Sequence, residues 1–354
     1  MLKSEYFLWG AGTYGARLID VMKDDLCFRA VIDNDNEKQG SMFHGVPVIS
    51  YEDAKEYLPS VKIVLSSAIP RNVQLFLKNE GYVQNIDFFA IFQFVPRYFW
   101  AKNKLSIQNI NAACTTICNM RCDACLCYGH IAKRHRHLTI DEIKNDFDLL
   151  FNHIDYVVNI PFCCGESMLN AKAVADACNY IYENYENRYH TLTIVTNGST
   201  IPNDEVMQSF AKSKTVISIS EYPSLVMTKQ KLIERCKAYN VSYLNNTTCN
   251  IGNWHGLGDP RTLSIDNPTQ LVDGCLTVPA GLIDGWLYTC SAQMYAQVVA
   301  GIGSIQPGDA FDLRKPVTED TREEVYRIIS AQPEKGYVSH CTRCYGTLNP
   351  LMQS

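Results

Sequence analysis

The chain has 354 residues, 46% of them hydrophobic and 19% charged, which sets disorder aside and allows two or three domains with ample core. Lys and Arg number 32 against 37 Asp and Glu, a net charge of −5, so no global basic field exists to hold nucleic acid. No apolar run reaches the roughly 18–20 residues of a membrane helix, and Met1–Glu5 lacks the pattern of a signal peptide, so a soluble cytoplasmic protein without membrane partners is expected.

Residues 1–98 read as a strand–helix alternation. Tyr6–Trp9 is a short apolar strand, followed by Gly10-Ala11-Gly12-Thr13-Tyr14-Gly15 and a helix carrying Tyr14, Leu18, Val21 and Met22 at helical spacing. Further strands fall at Arg29–Ile32, ending on Asp33, and at Val61–Leu65. This pattern predicts a Rossmann-like parallel sheet. Gly10, Gly12, Gly15 and Asp33 fit a dinucleotide fingerprint, in which glycines let a phosphate approach a helix N-terminus. The run Asp33–Gly40 with Gly45-Val46-Pro47-Val48 resembles the N-terminal domain of bacterial sugar acyltransferases, which implies a nucleotide-linked sugar. NAD, a nucleotide sugar and a purely structural domain all stay open.

A loop over Pro96–Lys104 marks the next boundary. Strands then fall at Ser106–Ala112, Tyr156–Ile160, Thr191–Val195, Val216–Ser220, Val241–Leu244 and Thr262–Ile265, with helices between most of them. The clearest helix starts at Thr139 with Glu142 three residues on, a capping-box spacing, and carries Ile140, Ile143, Phe147 and Leu150 as its apolar stripe. Six such units predict a curved parallel sheet, a partial (β/α)6 barrel, over 105–262. Residues 263–354 read as a small α+β extension with one helix at Glu319–Ile329.

The cysteines break this ordinary picture. There are 15, about twice or more the usual share for this length, and without a secretory signal metal or redox chemistry is the stronger reading. Cys118, Cys122 and Cys125, spaced C-x3-C-x2-C, follow the first strand of the middle region. Three thiolates this close can grip an iron–sulfur cube and leave one iron open to a chelating molecule. Zinc would want a fourth ligand, which Cys114 or Cys127 could supply, though both read as non-ligands.

The loop resembles the signature of radical S-adenosylmethionine enzymes. It departs from it at Ala124, where the family has an aromatic residue beside the cofactor's adenine. The family's Gly-Gly-Glu element has its counterpart in Cys164-Gly165-Glu166, with Cys164 in place of the first glycine. The resemblance implies that Gly165 and Glu166 meet the cofactor's amino group, and that Thr196, Asn197, Ser218 and Ser220, at later strand ends, hold its ribose and carboxylate. It implies a cluster, S-adenosylmethionine, and a flavodoxin- or ferredoxin-type electron donor. The basic run Lys133–His137 reads as a solvated loop, and its position also suits a phosphate-bearing substrate or such a donor.

Further on lie Cys275 and Cys290, separated by Leu282–Tyr288 with an Asp284-Gly285 turn signal, then Cys341 and Cys344. Four thiolates can close a cage around zinc or a second cluster. The arrangement resembles the twitch domain, a shortened SPASM extension, which implies a single auxiliary 4Fe-4S cluster that moves electrons. Cys178 and Cys236 sit on apolar helix stripes as core residues. His255, in Asn253-Trp254-His255-Gly256, is a weak candidate acid or base, with a hydrogen-bonded histidine as the plainer reading.

The expected activity is cleavage of S-adenosylmethionine to a 5′-deoxyadenosyl radical, followed by hydrogen abstraction from a small polar substrate such as a sugar or nucleotide sugar, for oxidation or epimerisation. A peptide-modifying maturase and a non-catalytic, zinc-stabilised binding protein are the alternatives.

Overall fold

Phe7, Leu8 and Trp9 are all buried. An unbroken buried run means that both faces of the strand are covered, as in parallel sheets flanked by helices. The computed structural model describes residues 5–24, 26–66, 71–123, 125–246, 257–269, 275, 279–330 and 335–346. The chain divides into two compact units, 1–108 and 109–354.

In the first unit, β1 (Glu5–Trp9), β2 (Cys27–Ile32), β3 (Met42–Phe43), β4 (Val46–Ile49), β5 (Lys62–Leu65) and β6 (Phe88–Ala90) form one sheet in the order β3-β4-β2-β1-β5-β6. All neighbouring pairs are parallel except the β3–β4 hairpin. Taken alone, the parallel strands run in the order third, second, first, fourth, fifth, which is doubly wound, with its switch point between β1 and β5. Helix α1 (Thr13–Met22) buries Leu18, Ile19 and Met22. The helices α2 (Tyr51–Lys55) and α3 (Arg71–Asn79) follow, and Tyr51, Ala54 and Leu77 join Phe7, Trp9, Ile32, Ile63 and Phe88 in one core.

The loop expected over Pro96–Lys104 is mostly helix: α4 runs Ile91–Trp100 with Pro96 inside it. A mid-helix proline costs about 3 kcal/mol. Ile91, Phe94, Val95 and Phe99 are buried, and burial of such side chains returns roughly 1.5–3 kcal/mol each. Packing outweighs the lost hydrogen bond.

The second sheet has the order β11-β10-β9-β8-β7-β12-β13-β14. Its strands β7 (Ser106–Ala112), β8 (Tyr156–Phe162), β9 (Tyr189–Thr196), β10 (Val216–Ser220) and β11 (Ser242–Asn246) lie in chain order, and β8 to β11 pair parallel. Between them run α5 (Ile140–His153), α6 (Ala171–Tyr185), α7 (Asp204–Lys212) and α8 (Val226–Ala238).

The sixth unit is corrected. Thr262–Ile265 is no strand: the Asp259 carbonyl accepts from the N–H of Thr262 and Leu263, and its carboxylate from Arg261, so the segment closes into a turn. The sheet instead gains β12 (Ala280–Ile283), which lies parallel to β7 on the edge away from β8. It turns at Asp284 (φ 53°) and Gly285 (φ 74°) into β13 (Trp286–Tyr288), and β13 pairs antiparallel with β14 (Ala310–Asp312). Positive φ at both turn positions suits the twist of a tight hairpin. Helices α9 (Ser291–Val298) and α10 (Glu319–Ile329) complete the described elements. Among the described residues no helix is long and apolar enough to cross a membrane.

Candidate functional site

The segment after β7 is an excursion sealed at its base. The Leu138 N–H donates to the Cys114 carbonyl, and Asn170 Nδ2 donates to the carbonyls of both Cys114 and Leu138. Thr115 and Thr116 bond back to the Arg136 carbonyl. Within this loop stand Cys118, Cys122 and Cys125, all partly exposed, whereas Cys114 is fully buried and its thiol is pushed up to about 12 by burial. Ala124 lies outside the described residues.

Three strand ends hold the loop in place. After β8, the Glu166 N–H donates to the Ile117 carbonyl at 2.8 Å. Gly165 (φ 65°) allows this approach, since a Cβ there would sit 2.4 Å from the Ile117 carbonyl oxygen. After β9, Asn197 Nδ2 donates to Asn119 Oδ1, next to Cys118, at 2.9 Å. After β10, the buried Tyr222 hydroxyl lies 3.7 Å from Cys122 Sγ. Backbone donors also face the sulfurs: the N–H of Met120 approaches Cys118 Sγ and that of Gly129 approaches Cys125 Sγ, each at 3.4 Å.

Glu166 is 2% exposed, and its carboxylate is turned towards the chain itself. It accepts from the Met168 N–H (2.9 Å), the Thr196 hydroxyl (2.6 Å) and the Asn197 N–H (2.7 Å), so it laces the end of β8 to the end of β9. Burial raises its pKa above the ordinary carboxylate value against these bonds. Ser218 and Ser220, both buried, stand two apart on β10 and so share one face of the sheet.

Cys127 neighbours Cys125 and Cys163, and its thiol holds Cys125 below the ordinary thiol range against the opposing effect of burial. Cys164 is buried, and burial pushes its thiol well up. Cys178 and Cys236 are fully buried in α6 and α8.

The C-terminal cysteines are placed by short elements. Cys290 is the N-cap of α9 and makes no side-chain cap hydrogen bond; burial pushes its thiol up. Cys341 lies in the short turn Ser339–Arg343, Cys344 follows it, and the Gly346 N–H approaches Cys344 Sγ at 3.3 Å. Burial first, and then the neighbouring Cys290 and Cys275, push Cys341 and Cys344 up to about 12. Among the described residues, no group of three or more His, Cys, Asp or Glu side chains is arranged to hold a single metal ion. A cube spreads its thiolates over separate irons, so they need not converge on one point as a zinc site requires.

Of the basic run, Arg136 pairs with Glu142, at the start of α5, and with Asp284 of the hairpin. The amides of Lys133 and Arg134 both donate to the Val299 carbonyl.

In the first unit, a Cβ at Gly10 would meet Ser66 Oγ at 2.4 Å, and one at Gly15 would meet the Gly10 carbonyl oxygen at 2.2 Å. Both glycines are needed for packing. Gly12, the N-cap of α1, faces open space. Asp33 accepts from the N–H of Ala11 (2.7 Å) and of Asp35 (2.9 Å), so its oxygens brace the glycine loop. His255 lies outside the described residues.

Sequence reasoning missed Tyr222 and the lacing role of Glu166. Tyr222 is 100 positions from the cysteine it touches, and no local spacing signals such a pairing.

Residues 113–220 match the family model of the Radical SAM superfamily. No curated protein sequence matches the chain. Among solved structures, the chain is similar to native anSMEcpe with bound AdoMet and Cp18Cys peptide, at 16% identity over 40% of this chain and 42% of that one, with a TM-score of 0.32. It is similar to BtrN in complex with AdoMet and 2-DOIA at 13% identity, over 67% of this chain and 92% of that one, with a TM-score of 0.43. The chain thus spans about two fifths of the length of the first of these structures.

Proposed function

We propose, from the premise that residues 113–220 form a radical SAM domain, that this chain is a radical S-adenosylmethionine enzyme with a second, auxiliary cluster. The observation that carries the reading is the three-cysteine loop pinned by Gly165–Glu166, Asn197 and Tyr222 against three successive strand ends of one sheet. Ligands of parallel α/β sheets bind at the carboxyl ends of the strands.

Cys118, Cys122 and Cys125 would hold a four-iron cluster, and the donor set fits: three thiols in one loop, two of them facing backbone N–H groups that favour thiolate. When bound, the cluster supplies the electron that cleaves the sulfonium of S-adenosylmethionine to methionine and a 5′-deoxyadenosyl radical. Glu166 keeps the ends of β8 and β9 in register, which fixes where Thr196 and Asn197 stand. Thr196 and Asn197 are both buried, a setting that would keep water away from a cofactor held there.

Cys275, Cys290, Cys341 and Cys344 would hold the auxiliary cluster. Four protein ligands would leave no open iron, so a cluster there would move electrons. Such a pair of sites suits a two-electron oxidation at an alcohol-bearing carbon of a small polar substrate, with a sugar or nucleotide sugar as the class to test. In the first unit the Asp33 carboxylate is spent on Ala11 and Asp35, which favours a structural or phosphate-facing role over ribose recognition.

The test is anaerobic reconstitution followed by an iron count and incubation with S-adenosylmethionine and dithionite. About eight irons per chain with formation of 5′-deoxyadenosine supports the reading. Zinc in both cysteine sets and no 5′-deoxyadenosine overturns it in favour of a metal-stabilised binding protein.

A further inference from the structure

Tyr128 follows the three-cysteine loop and His340 immediately precedes Cys341. Their side chains meet: the Tyr128 hydroxyl and His340 Nε2 share a hydrogen bond of 2.8 Å, 212 positions apart in the chain. The tyrosine is 1% exposed and the histidine 7%, and their rings pack edge to face at 5.7 Å. Tyr128 directly follows Cys127 in the chain and is also a charge neighbour of Cys344 and Cys290.

Both residues are firmly placed. Tyr128 adopts φ 55°, a left-handed conformation uncommon for a bulky residue. Its N–H donates to the Cys125 carbonyl and its carbonyl accepts from Ile131. His340 lies in the turn anchored where the Ser339 N–H donates to Asp309 Oδ1 at 2.8 Å. A continuous path follows. Cys125 Sγ accepts from the Gly129 N–H, the Gly129 nitrogen is bonded to the Tyr128 carbonyl carbon, the tyrosine hydroxyl meets His340, and one peptide bond leads from His340 to Cys341. The path crosses two hydrogen bonds and no open gap. Electron tunnelling decays far more steeply through space than along bonds.

We propose that Tyr128 and His340 form the route by which an electron passes between the two cysteine sites; this rests on the reading that both sites hold four-iron clusters. The step moves one electron. The cluster that gives it is oxidised by one, the cluster that receives it is reduced by one, no bond breaks and no proton leaves the pair.

The experiment uses the full chain with both clusters and no S-adenosylmethionine. A flash-excited deazaflavin with a sacrificial amine delivers one electron per chain, samples are frozen at successive times, and EPR reads which cluster holds the electron. Tyr128→Phe, which removes only the hydroxyl, and His340→Phe, which removes the other partner, should each slow the redistribution while iron content and both midpoint potentials stay as in the wild type. A merely structural role would move the potentials or the iron. If either variant with its full iron redistributes at the wild-type rate, the route is wrong although the two-cluster reading stands. About four irons in the wild-type chain, with zinc in the C-terminal set, would instead sink the two-cluster reading and the route together.

Discussion

Glu166 shows how much one side chain decides here. Its carboxylate satisfies two buried backbone N–H groups and one hydroxyl at the ends of two strands. A buried donor left without an acceptor costs about 1–3 kcal/mol. Glu166→Ala should therefore lower unfolding stability by roughly 2–6 kcal/mol, read by urea denaturation, and should also reduce iron uptake; a variant as stable as the wild type would refute the lacing role. Asp146 is a second such brace. It is 3% exposed and accepts from the N–H groups of Gly285 (2.6 Å) and Asp284 (3.1 Å), and burial raises its pKa from 3.8 to about 7. Between these values the folded state binds more protons than the unfolded one, so this group's contribution is full below about pH 4 and is lost as pH rises through about 7. Asp146→Asn should flatten that part of the stability–pH curve, and an unchanged slope would exclude Asp146 as its source. At this scale the cysteine sets could be marked as candidate ligands because C-x3-C-x2-C and C-x2-C spacings are written locally. Tyr222 and Tyr128 were not legible, because their partners lie 100 and 212 positions away.

Helices and strands were legible where a local signal and burial agree. The helix expected from Thr139 runs Ile140–His153 behind a full capping box between Thr139 and Glu142. Thr139→Ala should cost about 1 kcal/mol, checked by thermal unfolding, and Glu142 ties the same end to Arg136. Glu319–Ile329 and Val216–Ser220 likewise match their expected limits. The expectation failed where a local signal opposed packing. Pro96 marks a loop by itself, yet four buried neighbours keep α4 helical through it. Thr262–Ile265 is apolar enough for a strand, but Asp259 closes the chain into a turn there.

For the molecule as a whole, the two units carry separate sheets, and the first has its own aromatic and aliphatic core. A fragment of residues 1–105 should fold by itself and unfold cooperatively, as seen by circular dichroism with a guanidinium titration; a non-cooperative melt would show that this core is insufficient. Any ligand that binds only the native state raises its stability. Reconstitution with iron should therefore raise the melting temperature of the 109–354 unit, and chelation under reducing conditions should reverse the gain.

Composition, spacing and periodicity by themselves determined that the chain alternates strands and helices, and that two groups of thiols punctuate it. These are local properties, since thiolates a few residues apart and side chains at helical spacing are fixed by the geometry of a short stretch of backbone. The tertiary structure alone decided that β12 joins the sheet beside β7, that Glu166 spends its oxygens between strands, and that Tyr128 meets His340. Each of these joins residues far apart in the chain, and such contacts arise from the burial of surfaces that no short window of sequence contains.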